Sequence, residues 1–141
     1  GKPLSIALVQ GNVPQNEKWD PARARDILER YLEMTRQAAQ RGAHLVMWPE
    51  SATPFYYEED PVGADQIREM VRQTGGTLLL GSDEVERGSP HRFYNSAFML
   101  KPNGETAAVY RKMQLVPFGE YVPLKSLLFF VGPLVEGVAL N

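Results

Sequence analysis

One well-punctuated helix between two short apolar runs constrains this chain more than any other feature of its sequence. Leu4–Gln10 is an apolar run closed by Gly11-Asn12, which reads as a buried strand. Asp20-Pro21 then supplies an N-cap and a proline at the first helical position. Ala24, Ile27, Leu28, Tyr31, Leu32, Thr35, Ala38 and Ala39 recur at helical spacing until Gly42 ends the helix. His44–Trp48 reads as a second strand, and the order strand, helix, strand calls for a right-handed crossover and parallel pairing. After a loop over 49–61 the pattern repeats: a helix over Asp65–Gln73 carries Ile67, Met70 and Val71, Gly75-Gly76 stop it, and a third strand spans Thr77–Gly81. Ser82–His91 reads as a polar loop. Phe93–Leu100 and Thr106–Arg111 flank Lys101-Pro102-Asn103-Gly104, an asparagine-glycine hairpin turn, so an antiparallel pair follows the parallel ones. The expectation is an α/β fold built on a mixed sheet.

At 141 residues and 43% hydrophobic content, the chain is one domain or part of one. Its net charge is −2 and it has no Lys/Arg stripe that could track phosphates, which argues against a nucleic-acid partner. It holds no cysteine, so disulfides, thiolate metal sites and a cysteine nucleophile are excluded within these residues. No apolar run reaches the roughly 20 residues of a membrane helix, and no secretory leader opens the chain. The first strand begins three residues from the start, as in a piece of something longer. The apolar, Gly/Pro-interrupted tail from Leu127 to Leu140 has two readings, a core-covering loop or a lipid-facing surface.

Ligands of open α/β sheets collect beyond the carboxyl ends of the strands. Glu50 follows the second strand directly, and Lys112 follows Thr106–Arg111. Taken alone, each reads first as a solvated surface charge. Their settings raise the functional reading: Trp48-Pro49 stiffen the approach to Glu50, and Pro117, Gly119 and Pro123 fix a tight loop around Glu120. Glu50, Lys112 and Glu120 are expected to form one site, with Glu50 and Lys112 within salt-bridge range. A cation beside a carboxylate favours the ionised form of both, leaving Glu50 a base and Lys112 a charge for a developing oxyanion. That is acyl-transfer equipment without its nucleophile. No Ser-His-Asp arrangement or G-x-S-x-G elbow is present, and His44 and His91 read as surface or strand-edge residues. Trp19, just before the first helix, is equally a hydrophobic staple or a wall of a substrate pocket.

Three phrases carry a resemblance. Gln10-Gly11-Asn12-Val13-Pro14-Gln15 with Lys18-Trp19, Trp48-Pro49-Glu50-Ser51-Ala52, and Tyr110-Arg111-Lys112 with Leu115-Val116-Pro117-Phe118-Gly119-Glu120-Tyr121-Val122-Pro123 resemble the nitrilase-like domain of bacterial apolipoprotein N-acyltransferases. The resemblance covers nearly the whole chain. It implies part of a four-layer α-β-β-α sandwich with helices on one face of the sheet, incomplete over 1–141 and truncated before the nucleophilic cysteine. It also implies a Glu-Lys-Cys mechanism needing no cofactor or metal: Glu50 as general base, Lys112 steadying the tetrahedral intermediate, Glu120 supporting the triad and Trp19 in the substrate region. The partners implied are a phospholipid acyl donor and a diacylglyceryl-cysteine lipoprotein acceptor, at a periplasm-facing domain of the bacterial inner membrane anchored by segments absent here. The isolated piece would be inactive, and its uncovered sheet could drive self-association. A soluble amidase of the same superfamily, or a non-catalytic binding module on this scaffold, are the other readings.

Overall fold

The computed structural model describes residues 5–11 and 20–113. Trp19, Glu120 and the apolar tail lie outside the described residues. Within them are β1 (Ile6–Leu8), α1 (Pro21–Gln40), β2 (Leu45–Met47), a 3-10 turn (Tyr57–Glu59), α2 (Pro61–Thr74), β3 (Thr77–Glu86), β4 (Arg92–Leu100) and β5 (Thr106–Met113). The strands form one sheet in sequence order, β1-β2-β3-β4-β5. β1, β2 and β3 pair in parallel through the two helical crossovers, and β3, β4 and β5 pair antiparallel. No helix among the described residues is long and apolar enough to cross a membrane.

Both helices start on the same device. The Asp20 side chain accepts from the Ala22 N–H at 2.9 Å, the Asp60 side chain accepts from the Gly63 N–H at 2.9 Å, and a proline follows each aspartate. α2 therefore begins at Pro61, four residues earlier than the apolar spacing alone suggests. It ends at Gly75, whose φ of 74° turns the chain out of the helix.

Strand alternation divides the core in two. Val46, Trp48, Leu78, Leu80, Phe98 and Leu100 face the helices and pack on Ile27, Leu28, Tyr31 and Leu32 of α1 and on Ile67, Met70 and Val71 of α2. The opposite face carries a smaller cluster of Leu45, Met47, Leu79 and Ala97, with Met99, Ala108 and Tyr110 against it. At the centre of the helix side, Trp48 is fully buried, its ring 5.0 Å from that of Tyr31, and its Nε1–H donates to Thr35 Oγ1 at 2.8 Å. Thr35 in turn donates to the Tyr31 carbonyl at 2.7 Å. Thr35→Val keeps the shape and removes the acceptor, stranding a buried indole N–H. It should lower stability by about 1–3 kcal/mol, read as a lower urea midpoint at unchanged m-value.

Candidate active site

β2 stops at Met47, opposite Leu79, while β3 runs on to Glu86. The chain leaving β2 fills the position beside β3 that a longer strand would take. The Trp48 N–H donates to the Leu79 carbonyl at 2.8 Å and the Ala52 N–H to that of Gly81 at 3.0 Å. The Thr53 and Ser82 hydroxyls lie 2.6 Å apart, and Ser82 Oγ accepts from the Tyr57 N–H at 3.2 Å. Glu50 thus sits on a loop fastened along β3. Gly81 makes the close approach possible, since a Cβ there would overlap the Pro49 carbonyl oxygen and lie 2.8 Å from the Glu50 Cα.

Ser82–His91, expected as a polar loop, is strand as far as Glu86, and Arg92 already belongs to β4. Its polar residues alternate in the same way as the apolar ones before them: Ser82 and Glu84 continue the Leu78, Leu80 face, while Asp83 continues the Leu79, Gly81 face. Lys112 is likewise inside β5, not beyond its end. Asp83 pairs with Asn95, and Asn95 with Lys112, so the three form one cross-strand row on the side of the sheet away from the helices. Ser51, next to Glu50, joins the row from the loop. Its hydroxyl donates to Asp83 Oδ1 at 2.5 Å and lies 3.4 Å from Asn95 Oδ1.

No ion pair joins Glu50 and Lys112 among the described residues; the seven salt bridges there involve other groups. The expected salt-bridge contact is therefore not made, although the Lys112 charge does act on Glu50. Its effect is also outweighed. Burial pushes the Glu50 carboxyl from 4.5 up to about 7, the Lys112 charge pulls it down, and the Asp83 charge adds to the rise. One carboxyl oxygen, Oε2, is buried without a hydrogen-bond partner among the described residues. The Lys112 charge thus favours the ionised form, as expected, but desolvation outweighs it, leaving a carboxylate whose affinity for a proton suits abstraction near neutral pH.

A second cluster, unforeseen in the sequence, lies on the helix side beneath this row. Glu84, 8% exposed, accepts from Ser96 Oγ in a very short hydrogen bond and from Arg111 Nε at 2.8 Å, and Arg111 Nη2 reaches Glu58 at 3.4 Å. Burial raises the Glu84 carboxyl, but the hydrogen bonds from Arg111 and Ser96 together outweigh it and hold the group low. Glu58 is raised, by burial and by the Glu84 charge. The cluster anchors β5 through Arg111, the residue before Lys112, whose side chain projects from the other face. The period-2 run through Ser82 and Glu84 was the signal for it.

On the first strand's exit, the Gly11 N–H donates to Tyr31 Oη at 3.2 Å and its carbonyl accepts from Arg30 at 3.0 Å, fixing the point from which residues 12–19 depart. His44 and His91 are exposed, each accepting from a backbone N–H, Ser5 and Gly88 respectively. Among the described residues no group of three or more His, Cys, Asp or Glu could hold a metal ion.

Known proteins resemble this chain in sequence and in fold. An apolipoprotein N-acyltransferase of Geobacter metallireducens is 41% identical over 140 residues, covering 98% of this chain and 27% of the relative. Apolipoprotein N-acyltransferases of Nitrosomonas europaea and Methylococcus capsulatus are each 36% identical, over 93% and 96% of this chain and 25% and 26% of theirs. The chain therefore spans about a quarter of the length of these curated relatives. Among solved structures, a variant of a nitrilase-superfamily amidase from Nesterenkonia AN1 superposes with a TM-score of 0.62 at 22% identity, over 87% of this chain and 46% of the amidase. A carbon-nitrogen hydrolase from Helicobacter pylori G27 superposes at 0.60 and 19%, over 81% and 41%. These likenesses establish the fold, a mixed sheet with helices on one face as in the nitrilase superfamily. The carbon-nitrogen hydrolase family profile matches residues 5–136, nearly the entire sequence, and the chain belongs to that family.

Proposed function

We propose that this chain is the first part of the catalytic domain of an apolipoprotein N-acyltransferase, with Glu50 as its general base. The observation that carries this reading is the Glu50 carboxyl itself: on a loop fastened to β3, partly desolvated, held near pH 7 and within the field of Lys112. The relatives that match nearly the full chain bear that name. The nucleophile is a cysteine supplied by sequence outside these 141 residues, so the piece alone is inactive. Glu50 takes the thiol proton, and the thiolate attacks an ester carbonyl of a phospholipid. The Lys112 ammonium faces the oxyanion, and the lysophospholipid oxygen leaves with the proton held on Glu50. The resulting thioester is then attacked by the α-amino group of a diacylglyceryl-cysteine, whose proton Glu50 accepts as the thiolate departs. Glu120 supports the triad, and Trp19 belongs to the substrate region. The domain faces the periplasm of an inner-membrane protein.

The test uses a complete chain carrying this domain, in vesicles with a phospholipid labelled in its acyl chain. The expected result is a hydroxylamine-labile label on the protein that passes to a diacylglyceryl-cysteine peptide. Lys112→Met should slow label uptake by about 100–1000-fold. Hydrolysis of small amides with no acylated protein would replace the acyltransferase reading with an amidase one.

A further inference from the structure

We infer that Asp83 and Ser51 are positioning residues for Glu50, acting as a clamp that holds the base-bearing loop against the Asp83–Asn95–Lys112 row. The inference rests on Glu50 being the base, as proposed above. Ser51 has a φ of 53°, the one non-glycine residue with positive φ among the described residues. That left-handed conformation costs a serine energy, and something must hold it there. The Asp83 carboxylate, 2.5 Å from the Ser51 hydroxyl, supplies the restraint as a charge-assisted hydrogen bond. The backbone turn at Ser51 sets the direction in which its neighbour, Glu50, projects.

The clamp is built from both sides of β3. Thr53 meets Ser82 on the helix face, while Ser51 meets Asp83 on the opposite face, so the loop straddles the strand. Fixing one side would still let the loop roll about the other; fixing both does not. Asp83 is also placed to tie base and cation into one frame. Through Asn95 it is in register with Lys112, two strand spacings or about 10 Å away, so the group that orients Glu50 belongs to the same rigid row as the lysine. Its negative charge further helps keep the Glu50 proton affinity high.

Four variants of the complete chain test this against Glu50→Gln, reading the rate of thioester formation, its pH profile, and thermal unfolding. Ser51→Ala and Asp83→Ala should each lose about 100-fold in kcat at nearly unchanged KM, the scale expected for a misplaced catalytic group. Ser51→Gly lacks the hydroxyl but also lifts the backbone cost that the clamp offsets, and should recover part of the rate lost in Ser51→Ala. Asp83→Asn keeps an acceptor for Ser51 and should retain most of the rate, while the acidic limb of kcat/KM moves to lower pH because a negative neighbour of Glu50 is gone. A purely structural role would lower the folded fraction and leave kcat per folded molecule unchanged. Wild-type kcat in Ser51→Ala, or a Ser51→Gly no faster than Ser51→Ala, overturns the clamp even if Asp83→Ala fails to fold. If Glu50→Gln is inactive while the Ser51 and Asp83 variants are normal, the clamp alone fails. If Glu50→Gln still forms the thioester, the functional reading fails first.

Discussion

Glu50→Gln in a complete chain should abolish acyl-enzyme formation, a loss of up to about 10,000-fold from removal of a general base, and at the same time make the protein more stable at alkaline pH. The two effects share a cause. The folded protein holds the Glu50 proton up to about pH 7, whereas the unfolded chain releases it near 4.5, so the ionised carboxylate opposes folding. That cost is absent below pH 4.5, grows between 4.5 and 7, and is complete above 7. The full shift would correspond to about 3 kcal/mol; solvent screening of a partly exposed group cuts this to about 1–2 kcal/mol. A glutamine amide is itself poorly partnered at this position, so the informative quantity is the difference between variant and wild type at pH 8 less that at pH 4, from urea unfolding. A positive value in that range confirms the strained base. A value of zero means the carboxylate is solvated and returns Glu50 to an ordinary surface acid.

Gly81→Ala should be the most damaging single-methyl change in the described residues. The added Cβ would meet backbone, the Pro49 carbonyl oxygen and Glu50 Cα, with no flexible side chain to swing aside. Either β3 or the Glu50 loop must move, and the loop is held by backbone hydrogen bonds to β3 and by the Thr53–Ser82 contact. Overpacking of this kind costs about 1–3 kcal/mol and more where backbone must shift. Because the displaced atoms include the Cα of the residue proposed as base, activity should fall further than stability: thioester formation down by about 100-fold or more in molecules that remain folded. A variant with wild-type kinetics per folded molecule would show that Glu50 tolerates displacement.

The helices and the parallel crossovers were legible because their signals are local: the Asp20-Pro21 start, glycine stops and apolar residues at helical spacing. Even there, the second Asp-Pro pair at Asp60-Pro61 was the better guide to the start of α2 than Ile67, Met70 and Val71. The extension of β3 was not legible, because Ser82, Asp83 and Glu84 look like loop residues. Only the fold reveals that the loop after β2 and the arginine on β5 satisfy their polar side chains. The placement of Glu50 just past β2 followed from the sequence. Its proton affinity did not, since the balance between burial and a distant lysine depends on how deeply the loop is set. Glu120 and Trp19 lie outside the described residues, so their parts in the site rest on sequence alone.

The two faces of the sheet leave little freedom in how the β4–β5 hairpin can pair. Along β3 and β4, even-numbered positions meet the helix layer and odd-numbered ones the far side. Across the hairpin the parity inverts, so that on β5 Val109 and Arg111 look toward the helices while Tyr110 and Lys112 look away. A slip of one residue between β4 and β5 would carry Arg111 away from Glu84 and turn Lys112 under the helices in the same step, so one register fixes both side chains.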